Sequence, residues 1–146
     1  MSEFRFRLQR VLDYRTSLVE AQEVELSRCS HELRRALDDL GAIQLEEEMH
    51  LAAMKHAVQG LLSLDRLLAS WRYLSRLRER EASAGEHVER CRQRVEDERR
   101  KLAERKKEEQ VIAKLRERQR ERAALLARRL ETNQLDDLTG TRYSRG

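Results

Sequence analysis

The stretch VLDYRTSLVEAQEVELSRCSHELRRALDDLGAI, residues 11–43, decides the fold, because its apolar residues return every seventh position. Leu12, Val19, Leu26, Leu33 and Leu40 hold one position of the repeat; Arg15, Gln22, Cys29, Ala36 and Ile43 hold the position three residues on. Spacing that alternates three and four residues lays both sets along one stripe of an α-helix, the pattern that pairs helices in a coiled coil. Further along, the first set continues through Glu47, Met54 and Leu61 and the second through His50, Ala57 and Leu64; 12 of the 16 sites are apolar, enough for a continuous seam. A first helix is therefore expected over about residues 3–59, roughly 85 Å long at 1.5 Å per residue.

Composition agrees. The 146 residues include no proline, five glycines, 40% charged side chains and 4% aromatics, a balance typical of long helices. Apolar residues make up 39% and are scattered singly or in pairs, so the buried surface is a narrow stripe and not the broad core of a compact enzyme. Residues 1–10 alternate apolar and basic groups with no run of signal-peptide length, and no 18 consecutive residues are apolar, so a cytoplasmic location without direct membrane insertion is expected.

The repeat breaks at Gly60-Leu61-Leu62-Ser63, where a glycine suited to a helix end precedes a serine able to cap the next helix. This places a turn at about 60–63. A second helix, about 64–132, resumes the repeat through Leu74, Leu77, Glu81, Ala84, Val88, Cys91, Val95, Glu98, Leu102, Arg105, Glu109, Ile112, Arg116, Gln119, Ala123, Leu126 and Leu130. Its seam is good to Leu102 and poor beyond, unless a stutter brings in Val111 and Leu115. Residues 133–146 are expected as a flexible tail. The fold class is thus all-α, a single domain forming a long antiparallel two-helix coiled-coil hairpin.

With the turn near residue 62, partner positions total about 124. Gly41 then lies level with Gly85, which weakens both helices at one point, and Cys29 comes within a turn or so of Cys91. The end of the second helix should outrun the start of the first, leaving an overhang open to another protein.

Nothing in the sequence suggests catalysis. His31, His50, His56 and His87 share no ligand spacing, the two cysteines form no CxxC pair, and neither phosphate-binding glycine loops nor nucleophile motifs occur. No metal, cofactor or catalytic residue is expected. Residues 90–122 are rich in Lys and Arg, but interleaved acids and missing aromatics argue for a solvated face over nucleic-acid binding. Trp71 and Tyr73 stand out because aromatics are scarce. The run Leu64, Leu67, Leu68, Trp71, Tyr73, Leu74, Leu77 covers more than one helical face, so it either plugs the hairpin end or anchors a partner.

Three segments together resemble the FliJ family of the flagellar type III export apparatus. They are Phe4-x-Phe6-x-Leu8-x-x-Val11-Leu12-x-x-Arg15 with Glu20 and Glu25, Trp71-x-Tyr73-Leu74-x-x-Leu77, and Glu131-x-x-Gln134-Leu135-Asp136-Asp137-Leu138-x-x-x-Arg142. Asn133-Gln134 departs from the family pattern, where a lysine is more usual. The resemblance implies a hairpin like the central stalk of rotary ATPases. Its implied partners are the hexameric export ATPase and its regulator, the membrane export gate and export chaperones, at the inner membrane of the flagellar base. It also implies that Phe4, Phe6, Leu8, Leu126, Leu130 and Leu135 meet the ATPase, and that Trp71, Tyr73, Leu74 and Leu77 meet the gate. The alternatives are the stalk of a virulence type III secretion system, or a generic dimeric coiled-coil scaffold. The hairpin implies a monomer in isolation, the scaffold a dimer.

Overall fold

The computed structural model describes residues 3–58 and 63–144, which form two helices, α1 (Gln9–Val58) and α2 (Leu64–Ser144), packed against each other as a helical hairpin. The expected turn at Gly60, Leu61 and Leu62 falls outside the described residues. At its edge Ser63 caps α2: its Oγ accepts the Arg66 N–H at 3.4 Å and its carbonyl accepts the Leu67 N–H at 3.3 Å.

Both outer helix limits differ from expectation. α1 begins at Gln9 and not near residue 3. The alternation Phe4-x-Phe6-x-Leu8 has the period of an extended chain, and Phe6 is buried while Arg5 and Arg7 are exposed. Helical bonding starts only where Gln9 N–H reaches the Phe6 carbonyl at 3.1 Å and Leu12 N–H the Leu8 carbonyl at 3.0 Å. At the other end α2 continues to Ser144, where a tail from 133 was expected. No proline interrupts it, and the hydroxyls of Thr132, Thr139 and Thr141 return to carbonyls four residues back, at 2.9, 2.8 and 2.6 Å. Gly140 lowers helix propensity there without ending the helix.

The chain divides into two compact units. The central unit, Gln22–Lys101, pairs the last three-quarters of α1 with the first half of α2. Its antiparallel sense follows from its cross-helix contacts: Arg94 meets Glu32 at 3.6 Å, Gln44 meets Glu81 at 3.4 Å, and His50 Nε2 meets the Ser70 carbonyl at 2.9 Å. All lie within about one turn of the expected register, in which partner positions total about 124. Cys29, Ala36, Leu74, Leu77, Val88, Cys91 and Val95 are buried, and Ala36, Val88 and Cys91 form one cluster with Leu33 and Leu40 against it. Cys91 therefore packs on Ala36, one heptad past Cys29, and both thiols are free. Each fully buried leucine contributes about 2 kcal/mol.

The terminal unit, Met1–Ala21 with Leu102–Gly146, is held differently. Val19 and Phe6 are buried, Leu12, Leu102, Ile112 and Leu115 half-buried, and arginines on both helices make the cross-helix hydrogen bonds. Arg116 Nε donates to Gln9 Oε1 at 3.0 Å, Arg105 Nη1 to the Leu18 carbonyl at 3.1 Å, and Arg15 Nη1 to Glu108. The seam here takes residues from both registers: Ile112, Leu115 and Arg116 are half-buried, whereas Val111 is 68% exposed and Gln119 is exposed. The arginines that share it lay their aliphatic stems along the seam and send their charges across it.

Candidate partner-binding surfaces

The sequence singled out four residues at the start of α2, and the structure separates them. Leu74 and Leu77, at 1% and 0% exposure, are seam residues that hold α2 to α1 and offer nothing to a partner. Trp71 is 52% exposed, with Leu64 and Leu68 also open to solvent. Tyr73 lies between these extremes. Its ring meets His50 edge-on at 4.7 Å and 69°, and its hydroxyl donates to Glu46, a bond that raises the phenol's pKa. The available surface of this segment is therefore Trp71 with Leu64 and Leu68.

Beside it, also in the central unit, Glu47 and Glu81 face each other at seam positions. Each carboxyl acts on the other, which pushes the Glu47 pKa down and the Glu81 pKa up. Arg78 lies 3.4 Å from Glu47, and Gln44 donates to Glu81. Deeper in the unit a groove of about 570 Å³ runs between the helices, with Ala36, Ala42, Ile43 and Ala84 as its floor and Glu46, Arg80, His87 and Arg90 at its rim. It was not anticipated, although it follows from the small residues clustered beside Gly41 and Gly85.

Among the six terminal candidates, Phe6 is buried and Phe4 half-buried, while Leu8, Leu126, Leu130 and Leu135 are exposed. Phe4 joins Glu3, Arg5, Arg120, Ala123, Ala124 and Ala127 around a groove of about 450 Å³, whose alanine floor was not singled out from the sequence. Beyond it α2 has no facing segment of α1 among the described residues. Leu126, Leu130, Leu135 and Leu138 are each more than half exposed there and, at 100° per residue, spread over about half of the helix circumference. This is the overhang expected from the register.

Among the described residues there is no group of three or more His, Cys, Asp or Glu placed to hold a metal ion, and no helix is long and apolar enough to cross a membrane. Burial raises the Cys29 pKa, the reverse of what a reactive thiolate needs.

No curated protein and no solved structure matches the chain. The family model of the flagellar FliJ protein, by contrast, matches residues 4–146, covering the extended Phe4 segment, both helices and the overhang. The chain belongs to the FliJ family and is a non-catalytic component of the flagellar export apparatus.

Proposed function

We propose that the chain is a stalk and adaptor that binds the hexameric export ATPase and its regulator through its terminal segments. In this reading the start of α2 contacts the membrane export gate, and the chain escorts export chaperones. The observation that carries it is four exposed leucines, Leu126, Leu130, Leu135 and Leu138, on a length of α2 that no segment of α1 faces among the described residues. Apolar side chains spread around half of a helix are what a helix enclosed by the wall of a protein pore presents. For the gate, Trp71 is the anchor, because Leu74 and Leu77 are occupied in the seam.

Pull-down with the purified ATPase and the gate protein tests both assignments. Removal of residues 132–146 should abolish ATPase capture and leave gate capture intact, and Trp71→Ala should do the reverse. Retention of both partners by both variants would refute the assignment. A monomer of 17.4 kDa by light scattering is expected. A dimer would instead support the scaffold reading, which the pairing of α1 with α2 inside one chain disfavours.

A further inference from the structure

In the central unit α1 carries a second apolar row that the seam does not use. Ala42, Leu45, Met49, Ala52 and His56 follow one another by steps of three and four residues, with Ala53 beside them. At 100° per residue these side chains fall within about 100° of arc, roughly opposite the seam, in a row about 21 Å long. No Asp, Glu, Lys or Arg lies in that sector between 42 and 56. Every member of the row is exposed, Leu45 by 57% and Met49 by 65%. Ala42 also lines the groove of about 570 Å³, so the row runs into a recess between the helices. The charge around the row has one sign. Between Arg35 and Lys55 stand Asp38, Asp39, Glu46, Glu47 and Glu48, and no Lys or Arg. Arg80 and Arg78 hold Glu46 and Glu47 at 3.8 and 3.4 Å. Asp38, Asp39 and Glu48 are exposed and take part in no ion pair or hydrogen bond among the described residues. Trp71 does not belong to this face: it lies about 200° around α2 from Tyr73, whose hydroxyl bonds Glu46 at the edge of the row.

We propose that this face docks one amphipathic helix of another protein, a helix whose apolar edge is flanked by lysine and arginine. The apolar edge covers Leu45 and Met49, and the flanking cations meet Asp38, Asp39 and Glu48. The small residues Ala42, Ala52 and Ala53 let the two helix backbones approach, while side chains of the docked helix enter the groove beside Ala42. The same acids disfavour other occupants. They repel nucleic acid and anionic bilayers, and a second copy docked through the same face sets acid against acid. The row shares no residue with the surfaces assigned to the ATPase and the gate, so the helix can be held together with either.

The test uses the full chain and the fluorescence anisotropy of a labelled synthetic peptide of about four helical turns, with leucines along one face and lysines on both flanks. The parent is expected to bind it at ~0.05 M salt, more weakly at ~0.5 M, and to ignore a counterpart with glutamate in place of lysine. Leu45→Gln with Met49→Gln should weaken binding about thirtyfold at unchanged helicity. Asp38→Asn and Asp39→Asn with Glu48→Gln should weaken it about tenfold at ~0.05 M salt and hardly at ~0.5 M. Two controls should bind as the parent does: Val24→Gln, at another exposed site of α1, and Glu20→Gln with Glu79→Gln and Glu86→Gln, which removes the same charge elsewhere. The proposal is overturned if the parent ignores the lysine peptide, if the glutamate peptide binds as tightly, or if either control loses as much as its counterpart in the row. Self-association of the parent at ~0.05 M salt, abolished by Leu45→Gln with Met49→Gln, would also overturn it by making a second copy the occupant. The outcome is independent of the ATPase and gate assignments, because the assay contains neither.

Discussion

Replacing Gly41 and Gly85 by alanine should make the protein more stable, singly and together. Both glycines are interior to helices, and neither has a positive φ. A Cβ built at either meets nothing within 4 Å. The substitution therefore has no clash to offset, and it removes the entropic penalty that glycine imposes in a helix, about 0.5–1 kcal/mol at each site. Because neither new methyl gains a neighbour, the two effects should add within about 0.5 kcal/mol, giving about 1–2 kcal/mol for the double variant. Urea unfolding followed by circular dichroism at 222 nm, near the helical minimum, measures this. The midpoint should rise at unchanged slope. Destabilisation by either substitution would mean that the helices approach more closely at this level than the open space indicates. A double variant well short of the sum would mean that the two sites interact. Ala42, Ile43, Ser83 and Ala84 line the groove beside them, so a stabilised variant that captures its partners less well would identify local opening there as functional.

Leu77→Ala should cost about 2–3 kcal/mol by thermal melting, since the side chain is wholly buried, while Trp71→Ala should change stability by less than about 0.5 kcal/mol; equal effects would refute the division between seam and surface. Glu98 accepts a hydrogen bond from the buried Gln22, which with Lys101 holds its pKa below the ordinary carboxylate range. A depressed folded pKa contributes stability above the unfolded value and loses it as pH falls through the folded one, so acid unfolding below about pH 4 should become shallower in Gln22→Leu. An unchanged acid limb would show that the bond does not survive in solution. At the Glu47 and Glu81 pair the signs oppose: the raised Glu81 stabilises at low pH and loses that contribution as pH rises through its folded pKa, whereas the depressed Glu47 behaves conversely. Glu81→Gln supplies a permanent donor to Glu47 while still accepting from Gln44, so it should raise the melting temperature at pH 8 relative to the parent and lose that advantage near pH 4. A pH-independent difference would refute the coupling of the two carboxyls.

The seam was legible because heptad spacing is a property of the backbone: every described seam position of α1 between Leu12 and Ala57 is buried or half-buried, polar ones included. What spacing alone could not reveal is how polar residues occupy such positions. Arg15, Arg105 and Arg116 carry long apolar stems ending in donors, so they fill seam sites by crossing to a carbonyl, an amide or a carboxylate on the facing helix. Of the two residues that a stutter would bring into the seam, Leu115 is half-buried and Val111 exposed. The limits of α1 and α2 were misplaced for a related reason. Helix propensity is weak at both termini, and the outcome turned on particular hydrogen bonds: the Phe6 carbonyl at one end and threonine hydroxyls at the other.

The candidate surfaces were legible only by composition. Trp71, Leu74 and Leu77 look equally like anchors when counted by type, yet seam register alone assigns the two leucines inward and leaves the tryptophan out. The same register, applied to charges instead of leucines, sorts the mixed run 105–129 into the inward Arg105 and Arg116 and outward Lys107, Lys114, Arg118, Arg122 and Arg129. Interleaving in sequence had made this run read as an evenly solvated face, because a count averages over all faces of a helix while a partner meets only one. In a two-helix protein the position of a residue relative to the seam therefore carries more functional information than its type.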